Sequence, residues 1–262
     1  MLSVEKTMLF LLSKVEQMGA QQLVEIYEQR GYTSNYIRNA LSRLKKEGYI
    51  ASPSRSWYQV TEAGLATIKA INSKPARYQE QWDQTWEVVM LEVPEAERKK
   101  RDQFRSALLQ LGYGPLYNSV YISPWNYRQE AAGQIRKLGL DGKVSILQGQ
   151  FLEGAITPHK AQAIWQLDRI EALYQEKAAW MQQEFGPLMH EALQTGQPLQ
   201  LFLLYLQMGE ELSGLFMADP SLPDELLPDH WPGKRIIGEM SGHWERLAKA
   251  IPRESLYAQF IR

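Results

Sequence analysis

The sequence of 262 residues contains no cysteine. That excludes a disulfide framework and any thiolate metal site. Long apolar runs are also missing. MLFLL, residues 8–12, stops after five residues with Lys14 and Glu16 close behind, too short for a signal-peptide core or a membrane span. Residues 200–218, QLFLLYLQMGEELSGLFMA, are strongly apolar but contain Glu210 and Glu211, and read as a buried core or dimer helix. The chain has no G-x-S-x-G, no P-loop and no G-x-G-x-x-G, so it lacks the common signatures of nucleophilic and nucleotide-binding enzymes. It has no internal repeat and no low-complexity tract. Charge of one sign is not in excess either, with 29 basic against 30 acidic residues. These absences lead us to expect a soluble, intracellular, cytoplasmic protein with no membrane segment, no metal and no cofactor, divided into two or three domains.

The charge that is present is unevenly placed. Residues 1–80 carry 11 Lys/Arg and 7 Asp/Glu, whereas residues 156–262 carry 9 and 14. Within residues 30–55 six basic groups face only Glu47. A basic end on an otherwise neutral chain fits a nucleic-acid-binding head on a regulatory body.

The pattern along that head is specific. Met8, Leu9, Leu11, Leu12 and Val15 recur at helical spacing, predicting a helix over residues 4–18 that Gly19 ends. Residues 21–29 predict a second helix, and Gly31 a turn. Then comes TSNYIRNALSRLKKEGYI. Thr33 or Ser34 can cap a helix, Ile37, Ala40, Leu41 and Leu44 make one buried stripe, and Gly48 stops it. Residues 52–56 form a polar tip, WYQVT resumes a strand, and Thr61 starts another helix. Helix, helix, turn, helix, hairpin, helix is the order of a winged helix.

The third helix suits major-groove readout, which needs donors on an outer face while the inner face is locked to a scaffold. Its outer residues are Ser34, Asn35, Tyr36, Arg38, Asn39, Ser42, Arg43, Lys45 and Lys46. Arg38 and Asn39 lie where recognition helices meet base edges, Arg matching guanine and Asn adenine. Arg43, Lys45 and Lys46 suit phosphates. Arg55 at the wing tip is placed for the backbone or minor groove. Trp57 is expected to pack beneath the wing.

Further on, residues 72–85 read as a linker. WEVVMLEV, a helix over 95–111 with Phe104, Leu108, Leu109 and Leu111 inward, SVYISP, a helix over 126–138 and VSILQGQF give β-α-(β)-β-α-β, a ferredoxin-like module. From His159 onward the chain is helical, with one long helix over residues 160–185 and interruptions at Pro187 and Pro198. The fold class is therefore α+β and mostly helical, with a winged helix-turn-helix at 1–75, a ferredoxin-like α+β middle domain at 83–155 and a helical C-terminal domain at 159–262.

Several of these strings resemble one family. RNALSRLKKEGYI resembles the recognition-helix segment of the PaaX family of phenylacetate-degradation repressors. WDQTWEVVMLEVPE and FRSALLQLGYGPLYNSVYISP resemble the start of its middle domain, and DPSLPDELLPDHWPG resembles its C-terminal signature. The resemblance covers nearly the whole chain and keeps the family's order. It departs at Gln84, where the family often has Gly in W-D-G-x-W. It implies a homodimeric repressor of aromatic-acid catabolism genes, binding a double-stranded DNA operator and released by an acyl-CoA effector, phenylacetyl-CoA. By matching, DNA reading falls on Arg38, Asn39, Arg43 and Lys45; effector-binding residues are not carried over.

Two other readings stand beside this one. Ferredoxin-like modules can be metal-dependent nucleases, and Asp83, Glu92 and the Glu239–His243 pair are the candidate acidic or metal-ligating groups. A winged helix can also serve as a protein-interaction module. The Arg98–Arg101 run is a candidate phosphate site or an exposed helix face, and the aromatics of residues 113–127 and 165–180 line a pocket or form core.

Overall fold

The computed structural model describes residues 3–261, leaving out the side chains of Ser3 and of residues 70–76. It divides into two compact units that do not follow chain order. The first joins the chain up to Ser73 to Tyr174–Leu215 and the chain from Gly233 on; the second joins Lys74–Leu173 to Phe216–Pro232.

The first unit begins as a winged helix. Helices α1 (Ser3–Ser13), α2 (Ala20–Glu28) and α3 (Ser34–Lys46) are followed by strands β2 (Ile50–Ser54) and β3 (Trp57–Val60) and helix α4 (Glu62–Ser73). A two-residue strand, β1 (Met18–Gly19), pairs antiparallel with β3, so the sheet order is β1-β3-β2. Here the structure corrects the expected first helix. It ends at Ser13, whose hydroxyl donates back to the Phe10 carbonyl at 2.6 Å. The chain turns over residues 14–16, and Met18 and Gly19 are extended because the wing offers them a strand edge.

Gly64 on α4 has a packing reason. A Cβ there would stand 2.3 Å from the Tyr49 carbonyl oxygen and 2.7 Å from Val60 Cγ2. The Thr61 hydroxyl donates to the carbonyls of Gly48 and Tyr49 and accepts from the Gly64 N–H, tying α4 to the start of the wing.

The rest of this unit is helical. Residues 174–180, the end of α8 (Leu167–Trp180), run into a π-helical turn (Met181–Phe185) and α9 (Gly186–Thr195). The expected interruption at Pro187 is absent. Pro187 directly follows the π-helical turn, whose wider ring is closed by the Gly186 N–H donating to the Met181 carbonyl five residues back, and this turn carries the helix past a residue with no N–H to donate. Helices α10 (Pro198–Ala218) and α11 (Gly233–Ala250) complete it. Phe202, Tyr205 and Trp244 stack in this core, and the Trp244 indole donates to the Tyr205 carbonyl at 3.1 Å.

The second unit carries a four-stranded antiparallel sheet in the order β5-β6-β4-β7, from β4 (Trp86–Leu91), β5 (Gly114–Tyr117), β6 (Val120–Ser123) and β7 (Val144–Gly149). Helices α5 (Arg98–Leu111) and α6 (Arg128–Leu138) connect them, giving the ferredoxin-like β-α-β-β-α-β order. Phe104 and Leu108 bury against Val89, Tyr113, Tyr121 and Ala131. Leu109, expected inward, is 42% exposed, because the helix turns it off the sheet-facing stripe. The Glu87 carboxylate is buried on β4 and accepts from the Tyr113 hydroxyl and from the Tyr127 N–H.

The helix expected over residues 160–185 is broken. Helix α7 (Pro158–Trp165) ends at Gln166, which has φ +53°. Left-handed backbone cannot continue a right-handed helix, so α8 starts afresh at Leu167. The expected linker is also partly structured, with α4 reaching Ser73 and a 3-10 segment at Lys74–Gln79.

Candidate nucleic-acid interface

Helix α3 is built as its sequence requires. The Thr33 hydroxyl accepts from the Tyr36 N–H at 3.3 Å, satisfying one free donor of the first turn. Ile37, Ala40, Leu41 and Leu44 are completely buried and fix the helix to the head. At the far end Gly48 takes φ +80°, and its N–H and that of Tyr49 close onto the Lys45 and Leu44 carbonyls.

That leaves one face outward. Asn35, Arg38, Asn39, Ser42, Lys45 and Lys46 are exposed on it, with no acidic residue between Ser34 and Lys46. Arg38 lies along the helix with its Nε donating to the Ser34 hydroxyl at 3.3 Å. Ser34 and Tyr36 are half-buried, and Tyr36 stacks on Tyr32 at a centroid distance of 5.4 Å. Tyr36 thus belongs to an aromatic row, Tyr27–Tyr32–Tyr36, flanked by the Arg30 guanidinium over Tyr27 and Tyr32.

Arg43 is held differently from its neighbours. Its Nε donates to Glu5 of α1 at 2.6 Å, and that carboxylate is almost wholly buried. The Arg43 side chain is still 43% exposed. It therefore braces α3 against α1 while presenting part of its charge outward. No sequence spacing announces this pair, since the partners are 38 residues apart.

The wing brings Arg55 to its tip, exposed beside Ser56, whose φ is +62°. The Ser56 carbonyl accepts from the Ala20 N–H at 2.7 Å, fixing the tip to the start of α2. Trp57 is not core as expected. It is 41% exposed, because the register of β3 against β1 turns it away from the helices. An exposed indole two residues from Arg55 extends the same polar and aromatic surface.

Two of the other candidate groups, Asp83 and Glu239, have local partners. Asp83 accepts from the Thr85 N–H at 2.8 Å, and Glu239 from Arg235 at 2.8 Å. Among the described residues no group of three or more His, Asp and Glu stands close enough to hold a metal ion. Among them, too, no helix is long and apolar enough to cross a membrane.

Residues 79–162 match the model of the PaaX protein central Cas2-like domain, and residues 165–251 that of the PaaX-like protein C-terminal domain. Together the two cover more than half of the chain, in the family's order. The chain belongs to the PaaX family. Among curated proteins it is 27% identical to the transcriptional repressor PaaX of Escherichia coli (strain K12) over 235 residues, which is 87% of this chain and 73% of that protein. Among solved structures it is similar to the uncharacterized protein Rv0674 from Mycobacterium tuberculosis, 18% identical, with a TM-score of 0.50, covering 88% of this chain and 89% of the other. That likeness is one of fold.

Gln84, in the W-D-Q-T-W string, adopts φ +62°. A left-handed position before β4 favours glycine.

Proposed function

We propose that this PaaX-family chain is a DNA-binding transcriptional repressor and not an enzyme. The observation that carries the reading is the outer face of α3, exposed, free of acidic residues and set beside a wing with arginine at its tip. Family membership and the named repressor among its relatives support it. Arg38 and Asn39 read base edges, with Asn35 and Ser42 beside them. Lys45, Lys46, the exposed part of Arg43 and Arg55 contact phosphates, and Ser34 and Tyr36 shape the helix start. The chain acts in the cytoplasm as a homodimer, since two recognition helices about 34 Å apart meet successive major grooves. Its three-part division is a head at 1–75, a middle domain at 83–155 and a helical domain at 159–262.

Its targets are aromatic-acid catabolism genes, and its effector is an aryl-CoA, phenylacetyl-CoA. A ligand that binds the DNA-incompetent arrangement better shifts the population toward it. The test is a gel shift on the DNA upstream of the gene's own operon, titrated with phenylacetyl-CoA and with free phenylacetate. Release by the CoA ester alone is the expected result. Absence of specific binding at low salt contradicts the DNA-binding reading.

A further inference from the structure

The second unit contains two adjoining clefts that share Arg105 and Pro115. The larger encloses about 580 Å³ between α5 and the β5–β6 hairpin. Arg98, Arg101 and Arg105 enter it from α5 at positions i, i+3 and i+7, which lie along one helix face. Asp102 is the one carboxylate in its lining. The smaller encloses about 220 Å³ and is mainly apolar, lined by Leu109, Ile164, Trp165, Ile170 and Met217 among others.

The three guanidiniums are not equivalent. Arg98 and Arg101 reach Glu95 at 3.7 and 3.1 Å and Asp102 at 3.7 and 4.0 Å, and both carboxylates are more than half exposed. Such solvent-exposed pairs are worth little and give way to a better anion. Arg105 forms no ion pair among the described residues and stands where the two clefts meet. Two or more forked donors converging on a wet cleft match phosphate oxygens, whose geometry guanidinium fits in a bidentate manner. Trp165, held by its indole N–H donating to the Gly112 carbonyl at 3.0 Å, gives the apolar lobe a fixed wall.

We propose that the joined clefts form a ligand site for a small molecule with a phosphate-bearing end and an apolar end. The phosphates lie on Arg98, Arg101 and Arg105, and the apolar end lies against Trp165 and Ile164. This deepens the effector reading and rests on it for the regulatory consequence. Met217 of the apolar lobe is on α10, two turns beyond Glu210, the residue that grips Arg30 of the head. A ligand seated there touches the helix that holds the head.

The experiment uses the full chain and isothermal titration calorimetry with two probes, pyrophosphate and phenylacetyl-CoA, on wild type and on Arg105→Gln and Arg101→Gln. Phenylacetyl-CoA binding is expected to weaken at least tenfold in Arg105→Gln, with operator binding in the absence of ligand unchanged. Equal binding by wild type and both variants overturns the site and leaves the effector reading standing. Binding of pyrophosphate that depends on Arg105, without binding of phenylacetyl-CoA, upholds the phosphate lobe and removes the named effector. Failure of the wild type to bind either probe overturns the site.

Discussion

Arg30, just beyond α2, and Glu210, on α10, form a two-point ion pair, Nη1 to Oε1 at 2.8 Å and Nη2 to Oε2 at 2.5 Å. The Thr7 hydroxyl of α1 donates to the same carboxylate at 2.7 Å. Both partners are about nine-tenths shielded. Burial disfavours the Arg30 charge, but the bonds and charge of Glu210 outweigh it and raise its pKa above the usual value. The winged-helix head and α10 therefore share one charged lock inside the first unit.

Removing one side of that lock leaves a shielded charge facing the other. Arg30→Ala is expected to cost about 3 kcal/mol of folding stability, the usual scale for breaking a buried pair. A Glu210→Met/Arg30→Met double variant is expected to recover part of it. Urea denaturation of the three proteins measures both, and a double variant no better than Arg30→Ala contradicts the lock.

Gly64→Ala places a methyl against the Tyr49 backbone oxygen. The neighbour is main chain and cannot swing aside. The expected loss is about 2–3 kcal/mol, with thermal melting as the measurement. An unchanged melting temperature shows that α4 sits further from the wing.

At Gln84 the left-handed backbone makes substitution informative in two directions. Gln84→Gly is expected to be neutral or stabilising by up to about 1 kcal/mol, and Gln84→Val destabilising, because β-branched side chains tolerate positive φ worst. Denaturation midpoints that rank Val above Gly contradict this.

Hydrogen bonds from Lys143 and Lys100 hold the Glu97 carboxyl below its ordinary pKa of 4.5. A carboxyl lowered on folding contributes stability that is present above its unfolded pKa and lost as pH falls through the folded one. Glu97→Gln is therefore expected to lower stability at neutral pH and to match wild type only in acid, once the pH has fallen through the lowered pKa of the folded state. Melting curves from pH 3 to 7 read the difference; a constant gap at every pH contradicts it.

Much of this molecule is legible in the sequence because its signals are local. The Ile37–Leu44 stripe, the Thr33 cap and the Gly48 stop give α3 directly. The β-α-β-β-α-β order follows from alternating strand and helix periods. What escapes is set by distant partners or by single backbone conformations. β1 exists only because β3 offers an edge, and Gln166 breaks a helix whose side-chain pattern runs on through it. Arg43 looks like another outward cation until Glu5, 38 residues away, takes its Nε. The exposure of Trp57 depends on strand register, which alternation alone leaves two-fold.

That pair alters how the interface is tested. Arg43→Ala removes a charged hydrogen bond to a buried carboxylate, worth about 1.5–3 kcal/mol, so it is expected to weaken the head as well as DNA binding. Arg38 and Lys45 are the cleaner probes.

The most direct measurement is operator affinity by fluorescence anisotropy across a salt series, for wild type, Arg38→Ala and Lys45→Ala. Affinity is expected to fall steeply with salt. Arg38→Ala is expected to lose about 1–3 kcal/mol, more on the operator than on unrelated DNA, and Lys45→Ala to reduce the salt slope by about 1. Folded variants that bind as wild type at every salt concentration would contradict the assignment of α3 as the DNA-reading helix.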